Sequence, residues 1–572
     1  MVKAPMNEHA PVRLTGMIGT GLSLRIAYRV RQLDDLDYWR LNAERIQLRT
    51  LKSLVAKAQR TEIGREHSFA KLARLDGTEL LKAYRAEVPV QDWYAFQGRI
   101  ERMRLDGEPD VLWPGRVMHF CQTSGTTAGD KFIPLTQEMF KSNYRASLDI
   151  FGNLERFGLS AARLLSGKSL FLGGSSDVTA NQHGIKTGDL SGLVVPLIKW
   201  PLTEAYLPGK TVALMDHWPS KIDAMAEQCL DEDVRMISGM CSWGLVLFER
   251  VLELARERGR DVSCVRDIWP NLDLFVHGGV KYPPFMPRVN QAVFGDPAID
   301  FPHRLELYPA SEGFIAMQDT RDDPGLRLNT DLGVFYEFVP LEEINDDNPR
   351  AFTCGEVEKG QKYVVVMTTC AGLWRYVIGD VVEFDTIPAR FGSDGGPGSG
   401  EGPPRLRIVG RHRHFINAFG ENLIGEHIEN AVSAAQQQTG LTVGEFTASP
   451  VYPEDGRRAG LELAIEFQQT PSGQQVAGFA TAFDASLKEQ NVDYTTKRTE
   501  GLGMAEPTVT PLSMGAFHRW MDSKGKLGGQ HKCPRCANHR EILESVVALE
   551  AARDPGQADG RNPPALVSTV AP

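Results

Sequence analysis

Residues 34–60, "DDLDYWRLNAERIQLRTLKSLVAKAQR", place apolar side chains every three to four positions with charges between them. That period predicts an amphipathic helix. Helices are expected on the same grounds over 137–157, 219–230, 241–259 and 421–438. Between and after them lie runs of another kind: "KSLFLGG" (168–174), "LDLFVHGG" (272–279), "HRLELYPA" (303–310), "GVFYEFVP" (333–340) and "KYVVVMTT" (362–369). They are rich in β-branched and aromatic residues, and most close on Gly, Pro or polar residues, which predicts strands. Strands mixed with long helices predict an α/β architecture. No internal repeat is visible.

The polar breaks suggest how the chain divides. "PARFGSDGGPGSGEGPP" (388–404) has too few apolar residues to build a packed element and is expected to be a flexible surface insertion. A short strand, a basic turn, another short strand and a helix follow it in "RLRIVGRHRHFINAFGENLIGEHIENAV". A boundary near Gly410 fits, giving an N-terminal domain over 1–410 and a C-terminal domain over 411–550. Residues 551–572 are expected to be a disordered tail. Residues 13–30 suggest an amphipathic helix; packing on the body of the protein is the commoner fate of such a helix, and a membrane surface is the alternative.

Composition narrows the function. The chain has 572 residues, 63 Lys and Arg against 73 Asp and Glu, and a formal charge of −10. That argues against a general nucleic-acid binder and leaves room for a local basic pocket. Eight cysteines are too few for a disulfide scaffold and point to a reducing compartment. No signal-peptide pattern and no run of 18 apolar residues are found, so a cytoplasmic protein without membrane partners is expected; a monomer is taken as the default.

"CQTSGTTAGDKFIPLT" (121–136) carries the most chemistry. Thr123, Ser124, Thr126 and Thr127 surround Gly125 and Gly129, and Lys131 follows. Glycines let a backbone approach a phosphate closely, N–H groups and hydroxyls donate to its oxygens, and a lysine adds charge. The spacing is not that of the nucleoside-triphosphatase P-loop. On composition alone, a polar glycine-rich turn with no ligand explains the stretch equally well.

The stretch resembles the phosphate-binding motif of the acyl-adenylate-forming superfamily. Its nearer likeness is to the acyl-acid amido synthetases of the auxin-responsive Gretchen Hagen family. "LYPASEGFIAMQD" (307–319), "GLWRYVIGDVVEF" (372–384) and "GGQHKCPRC" (528–536) resemble three further family motifs, in the family's order. The resemblance implies a large N-terminal adenylate-forming domain, with β-sheets flanked by helices plus a barrel-like portion, and a smaller mobile C-terminal α/β domain. It implies ATP and Mg²⁺ as cofactors. The activity implied is adenylation of a carboxylic acid, with release of pyrophosphate, then transfer of the acyl group to an amine, expected to be an amino acid.

Residue by residue, the resemblance puts Thr123, Ser124, Gly125, Thr126, Thr127 and Lys131 at the ATP phosphates, beside Ser311. Ala310 stands where plant members have a second serine. Glu312 is the expected Mg²⁺ ligand and catalytic carboxylate, a hard oxygen donor suited to that cation. Asp380 would grip the ribose hydroxyls and Arg411 would reach the ribose. Arg375 is expected to be structural or near the acyl pocket. Lys532 would swing in with the C-terminal domain to stabilise the adenylation transition state. Trp243 and His277 are weaker candidates for the acyl pocket, with a core role as the alternative. Three other readings stay open: a thiol acceptor such as coenzyme A, a non-catalytic nucleotide or acyl-ligand binder on the same scaffold, and a zinc-stabilised interaction protein. The last rests on His531, Cys533, Cys536 and His539, whose spacing is cramped for a zinc motif.

Overall fold

The computed structural model describes the chain except for residues 1, 5–15, 128, 174–177, 198–201, 216, 281, 284, 322, 391–398, 413–414, 418, 422, 454–457, 500–502, 525–532 and 552–572; for 124–127, 129, 130 and a few other positions inside elements it describes the backbone alone. The helix expected over 34–60 forms as Leu36–Ala58. Asp35 caps it by accepting from the Tyr38 N–H at 2.8 Å, a contact worth about 1 kcal/mol. Its buried face includes Trp39, Ala43, Leu48, Leu51, Leu54 and Val55, and also Gln47. The Gln47 amide donates to the carbonyls of Thr330 (2.6 Å) and Val334 (2.9 Å) and accepts from the Tyr336 N–H at 2.7 Å. A polar side chain so fully paired is buried at little cost, and it pins the helix to the strand Val334–Pro340.

Helices Gln137–Asn153, Trp218–Cys229, Cys241–Glu257 and Gly425–Thr439 stand within a few residues of the expected spans. So do strands Lys168–Phe171, Leu274–Gly278, His303–Ala310, Val334–Pro340 and Tyr363–Thr369. The helix Gly16–Asp34 packs on the body: Leu22, Ile26 and Val30 share a buried cluster with Leu165 and Ala205. No described helix is long and apolar enough to cross a membrane. Of the segment 388–404, residues 391–398 lie outside the described residues. Its flanks are tied down, Ala389 N–H to the Arg40 carbonyl at 2.7 Å and Glu401 N–H to the Ile387 carbonyl at 2.9 Å. The expected tail, beyond the helix Glu541–Ala551, also lies outside them.

Among the described residues, one eleven-stranded sheet organises most of the chain. In half of it, Tyr206–Leu207, Lys168–Phe171, Val234–Ser238, Leu274–Gly278 and His303–Ala310 run parallel. In the other half, Gly313–Gln318, Leu326–Leu328, Arg405–Arg411, Tyr376–Thr386, Tyr363–Thr369 and Val334–Pro340 run antiparallel. His303–Ala310 is the seam, parallel to one neighbour and antiparallel to the other. The crevice beyond the carboxyl ends of parallel strands is where such sheets bind ligands. At the seam, Gly278 lies so close to the neighbouring strand that a Cβ there would sit 2.4 Å from the Leu307 carbonyl oxygen. Asp319, buried, binds Arg327 (3.0 Å), Arg405 (2.9 Å) and Arg156 (3.4 Å) and locks three antiparallel strands together.

The C-terminal part builds a three-stranded sheet from Val443–Val451, Gly460–Phe467 and Thr508–Ser513. Leu461 and Leu463 of this sheet join Phe479 and Phe483 of the helix Gly473–Gln490 in a cluster that continues through Phe419 into Phe285 and Phe275 of the larger part. The Phe285 ring lies 6.4 Å from that of Phe419 and 6.1 Å from that of Tyr452.

Candidate active site

The stretch 121–136 forms a hairpin. Strand His119–Thr127 pairs with Gly129–Pro134, setting Thr123 opposite Lys131, and the register breaks between Thr123 and Thr127. The side chains of Ser124, Thr126 and Thr127, and the surroundings of Gly125, lie outside the described residues. After the hairpin, the Thr136 hydroxyl caps the helix Gln137–Asn153 by accepting from Met139 N–H at 3.1 Å, and donates to the Cys370 carbonyl at 2.7 Å. One side chain thus fixes both the helix and the hairpin's exit against the sheet.

Thr123 and Lys131 line a cavity of about 490 Å³, together with Ser311, Glu312, Asp380 and Arg411. That volume is in the range of small-molecule sites. Six residues singled out in the sequence, drawn from four separate segments, therefore share one wall.

The polar geometry is tight. Asp380 and Arg411 face each other across adjacent strands, with Arg411 Nε 2.9 Å from Asp380 Oδ1. The Tyr308 hydroxyl donates to Asp380 Oδ2 at 2.6 Å. Arg411 Nη2 also donates to the Ile378 carbonyl at 3.0 Å. Gly379, at φ +98°, bends the strand just before Asp380, a conformation side-chain-bearing residues rarely adopt. Its carbonyl accepts from the His412 backbone N–H and from His412 Nδ1, both at 3.0 Å.

Glu312 is 8% exposed and accepts from the Tyr376 hydroxyl at 3.2 Å. Burial pushes its carboxyl above the usual range, partly opposed by the charge of Lys131. Burial works against the Arg411 charge, and Asp380, with Tyr308, Tyr376 and Glu312, outweighs it and raises the guanidinium. Burial and the Asp380 charge hold the Tyr308 hydroxyl well above its ordinary value, so it stays a donor. A buried carboxylate with one hydroxyl donor is costly unless a cation joins it. As a hard oxygen donor inside a cavity, Glu312 suits Mg²⁺ arriving with phosphates. Ser311 accepts from the Cys121 thiol at 3.2 Å.

Two expected pocket residues stand elsewhere. Trp243 is buried against Trp218, with Lys497 Nζ 4.5 Å from its ring centroid. His277 is 1% exposed, stacks on Tyr282 at 4.6 Å, and is pushed down to about 3 by burial and then by Arg304. Neither lines the 490 Å³ cavity. Arg375 is structural: its Nε donates to Glu337 Oε2 and its Nη1 to the Val88 carbonyl, both at 2.8 Å. Lys532 and His531 lie outside the described residues. Cys533 and Cys536 are buried free thiols, each pushed up to about 12 by burial. No cluster of three metal-ligating side chains occurs among the described residues.

Sequence reasoning missed Tyr308 and Tyr376, although both sit inside quoted motifs; a tyrosine four residues before a key carboxylate, in both motifs, was the available signal. It also missed Asn417 and Asn538, which carried none. Asn417 donates to the Gly279 carbonyl at 3.2 Å and its backbone N–H donates to Asn538 Oδ1 at 2.9 Å, joining the C-terminal part to the cavity wall.

Three family models match the chain: the GH3 family N-terminal domain over residues 32–208, the central domain over 328–391 and the C-terminal domain over 426–541. The indole-3-acetic acid-amido synthetase GH3.8 of Oryza sativa subsp. indica is 22% identical over 592 residues, covering 90% of this chain and 92% of that protein. The jasmonoyl–L-amino acid synthetase JAR4 of Nicotiana attenuata is 25% identical over 249 residues, covering 41% and 40%. For two Arabidopsis thaliana relatives, named probable indole-3-acetic acid-amido synthetase GH3.1 and indole-3-acetic acid-amido synthetase GH3.3, the chain spans about half the length of the relative, 55% and 47%. Among solved structures, the GH3.15 acyl acid amido synthetase in complex with 2,4-DB is similar at a TM-score of 0.55 and 17% identity, over 93% of this chain and 96% of that one. At that identity the likeness bears on the fold.

Proposed function

The chain belongs to the GH3 family, and from that premise we propose that it is an ATP-dependent acyl-acid amido synthetase. It activates a carboxylic acid as an acyl-adenylate, releasing pyrophosphate, and passes the acyl group to an amine. The observation that carries the reading is the meeting of Thr123, Lys131, Glu312, Asp380 and Arg411 around one cavity at the sheet's seam.

Each of these residues has a role in the proposal. Asp380, held by Tyr308 and Arg411, accepts from the ribose hydroxyls; a carboxylate has lone pairs for a vicinal diol. Lys131 and the hairpin 121–134 face the phosphates, where a fixed positive charge stabilises the negative charge that develops on transfer. Glu312 would hold Mg²⁺, which when bound supplies further positive charge to phosphate oxygens. Lys532 is kept as the residue that reaches in from the C-terminal domain, taken to begin near residue 411. The free cysteines fit a reducing compartment, and the protein is taken to act as a cytoplasmic monomer.

The test is pyrophosphate release from ATP and Mg²⁺ with a panel of aryl, indolyl and fatty acids, followed by mass spectrometry of products formed with mixed amino acids. Acid-dependent release that Glu312→Ala and Lys532→Ala abolish, with amide formed, is expected. Release that reaches product only with coenzyme A would replace the acceptor. Nucleotide binding without release from any acid would overturn the catalytic reading.

A further inference from the structure

A second cavity, of about 440 Å³, adjoins the first and shares Lys131, Ile378 and Arg411 with it. A ligand there would abut a ligand held in the first cavity. Its charges are sorted. Lys131 and Arg411 lie at the shared wall, next to His412 in the chain, and Asp92, Asp346 and Asp347 lie among its other lining residues. Asp346 and Asp347 are exposed and pair with no cation among the described residues. The neighbouring Arg350 is occupied by Glu343, which accepts from its backbone N–H at 3.1 Å and its Nε at 2.8 Å. The lining also includes the apolar side chains of Val90 and Ile344.

Gln91 adds an independent sign. Its backbone is fixed, N–H to the Arg375 carbonyl at 2.9 Å and carbonyl to the Val377 N–H at 2.8 Å. Its side-chain Nε2 is buried at this wall and has no acceptor. An unmatched buried donor costs about 1–3 kcal/mol, and a turn of the side chain toward the cavity, to meet a ligand oxygen there, would relieve it.

Resting on the reading above, we propose that this second cavity receives the acceptor, and that the acceptor is an α-amino acid with a cationic aliphatic side chain, of the lysine, ornithine or arginine kind. The carboxylate of the amino acid meets Gln91 Nε2 and the cationic wall. The methylene stem lies along the apolar walls, and the distal cation ends at Asp346 and Asp347, as long basic side chains do when they bury a stem and keep the head polar. Acidic acceptors are repelled by the same rim. In the transfer step the neutral α-amine nitrogen forms a C–N bond to the acyl carbon. The acyl C–O bond breaks and its electron pair leaves with AMP. Starting from the ammonium, two protons pass to solvent.

The experiment measures amide formation by the full-length protein with the acid that gives the most pyrophosphate release. Acceptors are lysine, ornithine, arginine, leucine, aspartate and the diamine putrescine. Lysine, ornithine or arginine should exceed leucine in kcat/KM, with aspartate lowest. Asp346→Asn/Asp347→Asn should lower the lysine-to-leucine ratio by about two- to thirtyfold, the span of two exposed ion pairs. Asp346→Lys/Asp347→Lys should raise aspartate above lysine. Because the readout is a ratio, a partly unfolded variant does not mimic it. Amide formation with leucine preferred, or a ratio unmoved by both variants, would overturn this inference while leaving the synthetase reading intact. Putrescine used as well as ornithine would overturn the carboxylate contact at Gln91. Absence of acid-dependent pyrophosphate release in the wild type would overturn both readings.

Discussion

Tyr308→Phe isolates one contact in the site. The substitution keeps the buried ring and removes only the hydroxyl that donates to Asp380 Oδ2 at 2.6 Å. A hydrogen bond to a charged acceptor is worth about 1.5–3 kcal/mol. The loss should fall at or below the low end of that range. Asp380 keeps Arg411 at 2.9 Å, and it lines a cavity from which water can replace the hydroxyl. About 1–1.5 kcal/mol remains, all of it in how firmly Asp380 is aimed, which is about five- to tenfold in an equilibrium constant. If Asp380 grips ribose, that factor belongs to ATP. The assay is acid-dependent pyrophosphate release at varied ATP and at varied acid, with thermal unfolding beside it. KM for ATP should rise about five- to tenfold while KM for the acid holds. An unchanged KM for ATP, or an equal rise for both substrates, would refute the assignment of Asp380 to the nucleotide.

Glu312→Gln should cut pyrophosphate release by about a hundredfold or more, since it weakens the hold on the Mg²⁺ whose positive charge would face the transferring group; it should also raise the thermal midpoint. Burial holds the Glu312 carboxyl above its unfolded value, so the wild type loses stability as pH climbs through that raised value, and the gain from glutamine should grow with pH. A variant that is less stable at pH 8 would count against this. Asp319→Asn should cost about 3–5 kcal/mol in urea unfolding, because three arginines would lose their buried counter-charge. Despite its burial, those arginines hold Asp319 below its ordinary value, so its contribution is present above about pH 4 and is lost as pH falls through the lowered value. The variant should therefore show a flatter acid limb. Cys533 and Cys536 should react with a thiol reagent at pH 8 only after denaturation, since burial keeps both protonated; fast reaction in the native protein would contradict their placement.

The elements were legible because their causes are local. Leu36–Ala58 follows from a three-to-four residue period and a capping aspartate, and the strand His303–Ala310 from a short run rich in apolar residues. Glu312 and Asp380 were legible for a different reason: each sits in a motif that resembles a known family. Trp243 and His277 looked like pocket residues because an apolar segment with one polar ring reads the same whether it lines a cavity or fills a core. Burial by Trp218, Lys497, Tyr282 and Arg304 separates the cases, and none of those contacts is local.

The sequence by itself determined the α/β class, the helix and strand spans, and the identity of the charged groups that chemistry would need. Periodicity, turn residues and side-chain type act within a few residues of one another. Only the tertiary structure decided the seam between parallel and antiparallel strands, the pairing of Asp380 with Arg411, the reach of Tyr308 to a carboxylate 72 residues away, and the second cavity behind Lys131. Those depend on which strands sit side by side, and strand order is set by burying one shared core rather than by any single stretch of chain.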